Sequence, residues 1–322
     1  MLKQRKLAVI LGFAVLVLMS CQQGMAPAGS ASPEDVLKYL PQDAQGVFFI
    51  DVHSAMLTSA AEKLMQEDDD TKKYMEFLQK TGIDPKTDVF YVAAAIVSED
   101  PKEQKGAAVI NLKYEKEKIL ATIKEEADDP PVTEDYNGIT LYSGEEEDNN
   151  GFAFLDDSNV VVGDLSSVKA VVDVMQKKRD NVFKNTDLAQ LLNKTDKDTL
   201  FWGAMLIPPK ALADATAGNP RLEALSSLTA MIFNFDYRSS TLMANIKALS
   251  NDAVKNKQIA EMLTGFKAMG AMMAVQKPEL GQLLDSISIT SGDDHVLISA
   301  NIPEELLQKL KSEIPLDQFE KK

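Results

Sequence analysis

The sequence predicts an α+β protein: a mainly antiparallel sheet with helices packed on it, in two related halves. Three observations carry this. Short apolar runs rich in β-branched and aromatic residues recur along the chain, as in residues 47–52 (VFFIDV) and 89–97 (VFYVAAAIV). Between them lie longer stretches with apolar residues at helical spacing. Hydrophobic residues are 45% and charged residues 26% of 322, ordinary globular proportions that exclude wholesale disorder and a polytopic membrane protein.

The N-terminus sets the compartment. Lys3, Arg5 and Lys6 form a basic region, and residues 7–19 (LAVILGFAVLVLM) are an unbroken apolar run of 13. That length fits the core of a signal peptide over 1–20 and falls short of the ~20 residues a spanning helix needs. The run closes on Leu18-Met19-Ser20-Cys21, which resembles the lipobox of bacterial lipoproteins: a large aliphatic residue, a tolerant position, a small residue, then cysteine. Met19 stands where serine, alanine or threonine is more usual. The resemblance implies cleavage before Cys21, a thioether-linked diacylglycerol on its sulfur, and an acyl chain such as palmitate on its nitrogen. Two or three chains anchor stably where one does so only marginally. Cys21 is the one cysteine in the chain, so no internal disulfide or cysteine-based zinc cluster can form. In enterobacterial lipoproteins an Asp after the cysteine favours inner-membrane retention. Gln22 stands there instead, which points to an outer membrane, facing the periplasm, in a Gram-negative host.

Residues 21–32 then read as the lipidated cysteine and a flexible tether, uncharged and rich in Gly, Ala, Ser and Pro. At about 5–6 Å × √n its reach is roughly 17–20 Å. Ser32, Pro33 and Asp35 form a helix start. Residues 47–52 are a strand. Met56, Leu57, Ala60, Ala61, Leu64 and Met65 make one helical stripe, and Tyr74, Phe77 and Leu78 a second that Gly82 ends. The acidic run 67–70 reads as a loop between them. Strands follow at 89–97 and 107–112, then a helix over 114–127 broken by Pro130-Pro131. Three strands come next, at 138–142, 152–155 and 159–162. Asp164 caps a helix from Ser166 to about Lys178.

The pattern then restarts with a strand at 199–207. Residues 231–236 and 241–249 form a hairpin about Arg238-Ser239-Ser240. Residues 251–284 read as helical, 287–290 and 296–300 as a second hairpin, and 303–312 as a last helix. The segment from Asp156 to Val172 matches that from Asp293 to Leu310: hairpin, short cap, amphipathic helix. This self-similarity predicts two α+β halves, 33–180 and 181–322. Leu40-Pro41-x-Asp43, then an apolar strand, a helix and repeated strand–helix blocks, resembles a group of uncharacterised secreted bacterial proteins known as domains of unknown function. That resemblance spans most of 36–312 and implies a duplicated α+β fold without supplying an activity.

Chemistry-bearing motifs are sparse. Lys+Arg is 34 against Asp+Glu 49, a net charge of −15, which excludes a nucleic-acid partner because phosphate needs a basic footprint. Of the two histidines, His53 adjoins Ser54 and His295 sits in a turn, and neither has a G-x-S-x-G about it. Glu146, Asp148, Asn150, Gly151 and Asp157 overlay a calcium-loop template. However, Glu opens it where Asp is expected, Asp closes it where a longer Glu is expected, and no helix pair flanks it. Asp128-Asp129 and Asp156-Asp157 are turn carboxylates with nothing to place them across a cleft. No phosphate loop is present, and Gly265 and Gly270 lie in a helix with no strand before them. No metal or cofactor is expected.

Methionine is the compositional oddity, at 14 residues. Met262, Phe266, Met269 and Met273 repeat at i, i+4, i+7, i+11, one face of a helix. Such a stripe is either the buried side of a helix packed on a sheet, the commoner case, or an apolar groove for a lipid or a partner segment. The expected protein is therefore a lipid-anchored, envelope-facing, non-enzymatic binding or structural module. It would be held to the membrane by its N-terminal lipid and meet an envelope protein or lipid ligand. The alternatives are a carrier of a hydrophobic ligand and a hydrolase without a recognisable motif.

Overall fold

The computed structural model describes residues 32–59, 61, 69–98, 105–126, 130–144, 149–274 and 277–313. The expected signal peptide, Cys21, the rest of the tether up to residue 31, Asp128, Asp129, Glu146 and Asp148 lie outside the described residues. Contacts divide the chain into two units, Met1–Met205 and Leu206–Lys322. Residues 181–205, which the sequence assigns to the second half, belong to the first unit.

In the first unit α1 (Pro33–Leu37) starts as its residues dictate. Asp35 N–H donates to Ser32 Oγ at 3.3 Å, Ser32 N–H donates to the Asp35 carboxylate at 3.1 Å, and Pro33 takes the first helical position. β1 (Gly46–Asp51) follows, and Asp51 caps α2 (Val52–Met56). α3 (Asp69–Thr81) ends at Gly82, whose φ of +75° lets Ile83 N–H return to the Leu78 carbonyl at 3.0 Å. Asp69 and Asp70 are already helical, where the acidic run reads as loop: carboxylates are favoured in a first turn. Then come β2 (Val89–Ile96), β3 (Gly106–Leu112), α4 (Lys116–Glu126), β4 (Val132–Tyr136), β5 (Ile139–Ser143), β6 (Asn150–Phe154) and β7 (Asn159–Asp164). α5 (Leu165–Met175), α6 (Thr186–Leu192) and β8 (Phe201–Leu206) complete the unit.

The strand order is β8-β1-β2-β3-β7-β6-β5-β4, every neighbouring pair antiparallel. Both faces are covered. On one, Phe49, Trp202, Ala93, Val109 and Val161 share a face by register, and Phe49 and Trp202 stack at 4.9 Å. Helices α1 and α5 pack there, with Val36, Val168, Val171 and Val172 fully buried. On the other, Ile50, Val92, Ala108, Val160 and Val162 form a cluster with Met56, Leu78, Ile83 and Tyr142. Each large side chain so buried contributes about 1.5–3 kcal/mol. β7 enters α5 through Asp164, whose carboxylate accepts from Ser167 N–H at 3.0 Å, Ser167 Oγ at 2.6 Å, Ser166 Oγ, and Gly106 N–H at 2.7 Å.

In the second unit the described elements are α7 (Pro209–Thr216), a 3-10 helix (Pro220–Ser227), β9 (Ala230–Arg238), β10 (Thr241–Leu249), α8 (Ala253–Met273), α9 (Pro278–Asp285), β11 (Ile287–Ser291), β12 (His295–Pro303) and α10 (Glu304–Glu313). The strands run β11-β12-β10-β9, all antiparallel. The β9–β10 hairpin turns on Ser239 and Ser240, at φ 51° and 57°, with no glycine. The continuous helix expected over 251–284 is two helices, because Pro278 lacks an N–H and opens α9 rather than extending α8. Among the described residues no helix is long and apolar enough to cross a membrane. The α+β class with a mainly antiparallel arrangement and packed helices is as the sequence predicts.

Candidate functional site

α8 carries the sequence's most distinctive stripe. Asp252 caps it, its carboxylate accepting from Val254 N–H at 3.1 Å and Lys255 N–H at 3.0 Å. The packed side is neither the methionine stripe nor wholly apolar. Asn256, fully buried, donates to the carbonyls of Gly292 and Asp293 at 3.2 and 3.1 Å, tying the helix to the β11–β12 turn. Ile259 and Ala260 meet Val296, with Leu263 and Ile289 beside them. Lys267 donates Nζ to the Ile287 carbonyl at 2.6 Å. A Cβ on Gly270 would stand 3.2 Å from Leu284 Cδ1, so α8 passes close to α9 there.

The predicted stripe flanks this packed side. Phe266 is 52% exposed and Met269 56%, while Met262 is half-buried. Met272, one residue from the stripe, is 76% exposed. The Met273 side chain lies outside the described residues. The commoner expectation, a stripe buried against a sheet, does not hold at Phe266 and Met269: Asn256, Ile259, Ala260 and Leu263, nearer the start of the helix, occupy the contact with β11, β12 and their turn. What is left is an outward apolar face. Charge on α8 runs against the chain: Lys255, Lys257 and Lys267 against Glu261, in a protein of net −15.

The other candidates resolve into structure. Ser54 Oγ donates to Asp51 Oδ2 at 2.8 Å and its N–H to Oδ1 at 2.9 Å, so the hydroxyl is engaged by the helix cap and not by its neighbour His53. Burial pushes the Asp51 carboxyl above its ordinary value, against these two bonds. His53 Nδ1 is buried without a hydrogen-bond partner, and its ring lies 6.2 Å from that of Phe90. His295 Nδ1 sits 2.6 Å from the adjacent Asp294 carboxylate, a local turn pair. Of the calcium-loop template, Asn150 and Gly151 are β6 ladder residues opposite Asp164 and Gly163, which is not the backbone of a coordinating loop. Among the described residues no group of three or more His, Cys, Asp or Glu could hold a metal.

Two polar clusters escape sequence reasoning, because their members lie far apart in the chain. Asp156 accepts from Tyr39 OH at 2.7 Å, Ser158 N–H at 2.9 Å and Asn159 Nδ2 at 2.8 Å, while Tyr114 OH donates to its carbonyl. Burial, then the neighbouring carboxylates, push the Tyr114 phenol up to about 12. Asp156 thus ties the segments that follow α1 and β3 to the β6–β7 turn, the first through its carboxylate and the second through its carbonyl. In the second unit the buried Tyr237 donates to the buried Glu304, which also accepts from Gln308 at 3.1 Å, fixing the start of α10. An open hollow of about 590 Å³ lies beside Met75, Gly82 and Pro85, with Glu76 and Asp84 as its titratable groups.

Comparison with known proteins gives a family and a fold. The chain belongs to DUF3352, a family of proteins of unknown function, whose model matches residues 6–321. No protein of curated function matches it. Crystal form III of TP0453 aligns with a TM-score of 0.50 at 11% identity, covering 87% of this chain and 98% of that one. Crystal form I aligns at 0.48 and 12%, covering 88% and 98%. At 11% identity the likeness to form III is one of fold.

Proposed function

We propose that this member of the family is a membrane-tethered, envelope-facing binding module that works without chemistry of its own. The observation that carries the reading is the outward apolar face of Phe266, Met269 and Met272 on a helix otherwise tied down by Asn256, Ile259 and Lys267. Large apolar side chains left more than half exposed together mark an interaction surface. The basic segment, the apolar run and Leu18–Cys21 support lipidation of Cys21, in the outer membrane of a Gram-negative host by the Gln22 argument. A tether that holds a body at a membrane raises its effective concentration there, which benefits a binder directly.

The test has two arms. Metabolic labelling with palmitate should mark the native chain and fail to mark Cys21→Ala; label retained by that variant refutes the anchor. Reproducible ester, amide, glycoside or phosphoester hydrolysis that is lost in His53→Ala refutes the non-catalytic reading.

A carrier of a hydrophobic ligand has an observation of its own. Register places Phe233, Phe235, Ile246, Ile298 and Ile302 on one face of the second unit's sheet, and all five are only part-buried. The helices α7 and α9 and the 3-10 helix of that unit bury no residue fully. Lipid extracted in fixed stoichiometry from the purified protein supports this reading, and its absence counts against it.

A further inference from the structure

We propose that the C-terminal half of α8 is an interfacial docking element that seats on a phospholipid bilayer through Phe266, Met269 and Met272. Residues 262–276 contain one charge, Lys267, and its ammonium is bound to the Ile287 carbonyl at 2.6 Å. A helix satisfies its own backbone, so it can enter the headgroup–acyl boundary without stranding polar groups. The three side chains are 52%, 56% and 76% exposed, so they stand proud of the surface, which suits a bilayer rather than a single bound chain.

Charge selects this occupant. From its capping Asp252 to Glu279 the segment carries Lys255, Lys257, Lys267 and Lys277 against Asp252, Glu261 and Glu279, a slight lysine excess in a chain of net −15. Anionic lipid therefore repels the chain as a whole but not this segment, which leaves it the side of the second unit able to approach such a surface. A second copy is the poorer occupant, since it brings the same net charge and the same lysine excess to the contact. The proposal rests on the reading of this face as a binding surface and names its occupant; the tether contributes proximity alone.

The test puts a polarity-sensitive fluorophore on Met272→Cys in the full chain, with Lys194→Cys as an exposed control on the other unit. The probe surface is vesicles of phosphatidylcholine and phosphatidylglycerol, with and without a lipid-borne nitroxide quencher. The native chain, treated alike, shows whether Cys21 itself reacts, so failure of the anchor is read separately from failure of docking. Docking gives blue-shifted, quenchable emission at Met272→Cys and water-like emission at Lys194→Cys. Adding Phe266→Glu with Met269→Glu, both at exposed positions and checked for native circular dichroism, should lower the docked fraction by about tenfold. Water-like, unquenched emission from Met272→Cys on vesicle-bound protein overturns the proposal. So does a blue shift without vesicles that grows with protein concentration, which assigns the face to a second copy.

Discussion

Replacing Met269 by Asp asks which side of α8 holds the second unit together. At 56% exposure the new carboxylate stays in water. Its cost is then local: about 0.5 kcal/mol in helix propensity, and about 0.3–1 kcal/mol for a negative charge near a helix C-terminus. The sum is about 1 kcal/mol. Were the methionine stripe the packed side, the same change would bury an unpaired charge and cost several kcal/mol, enough to unfold the unit. The matched control is Ile259→Ala, at 2% exposure within the cluster of Ala260, Val296 and Leu263. Removing that side chain from a packed site costs about 2–5 kcal/mol. The assay is urea unfolding of the full chain by circular dichroism. Fluorescence of Trp202, the one tryptophan, serves as an internal reference because it lies in the first unit. Ile259→Ala should shift the second unit's midpoint well below that of Met269→Asp and leave the tryptophan transition in place. Equal losses from the two variants would refute the assignment of faces.

Two further predictions concern stability. Asp164→Asn keeps the cap's shape but weakens charge-assisted bonds from Ser166, Ser167 and Gly106, and should cost about 1–3 kcal/mol at neutral pH. Burial pushes the Asp164 carboxyl up, but those bonds outweigh it and hold it below its ordinary value. The native advantage is therefore full above the unfolded value of about 3.9 and fades as pH falls through the lower folded value. Denaturation midpoints of both proteins from pH 7 downward should converge at the acid end, and a gap that widens there would contradict the sign. Gly163→Ala should cost about 1–3 kcal/mol, since its Cβ would stand 2.3 Å from the Gly106 carbonyl oxygen and 2.7 Å from Ala107 Cα at a φ of +157°. Gly265→Ala, with nothing within 4 Å, should instead gain about 0.5–1 kcal/mol in helix propensity; thermal melts of the pair read both signs.

What the sequence determined by itself is what a few neighbouring residues can settle. The capping box at Ser32 and Asp35, the cap at Asp164 and the stop at Gly82 are contacts within five residues, and each stands where the sequence puts it. Buried strands such as β1, β2 and β3 were legible because covering on both faces demands continuous apolar runs. β4 was not: VTEDY is an edge strand with four exposed residues, and no apolar pattern is asked of it. Its signal lay instead in the turn, where Asn137-Gly138 at φ 56° and 82° joins it to β5.

Only the tertiary structure decided which side of α8 is covered. Periodicity reports that a helix has an apolar stripe, not whether another element arrives to bury it. Here the covered side includes Asn256 and Lys267, because carbonyls at 287, 292 and 293 come round to accept from them. A polar group with its partners met is no obstacle to burial. Phe266, Met269 and Met272 are left exposed because the α8 side chains that meet β11, β12 and their turn are Asn256, Ile259, Ala260 and Leu263, earlier in the helix, and α9 comes close at Gly270, which brings no side chain of its own.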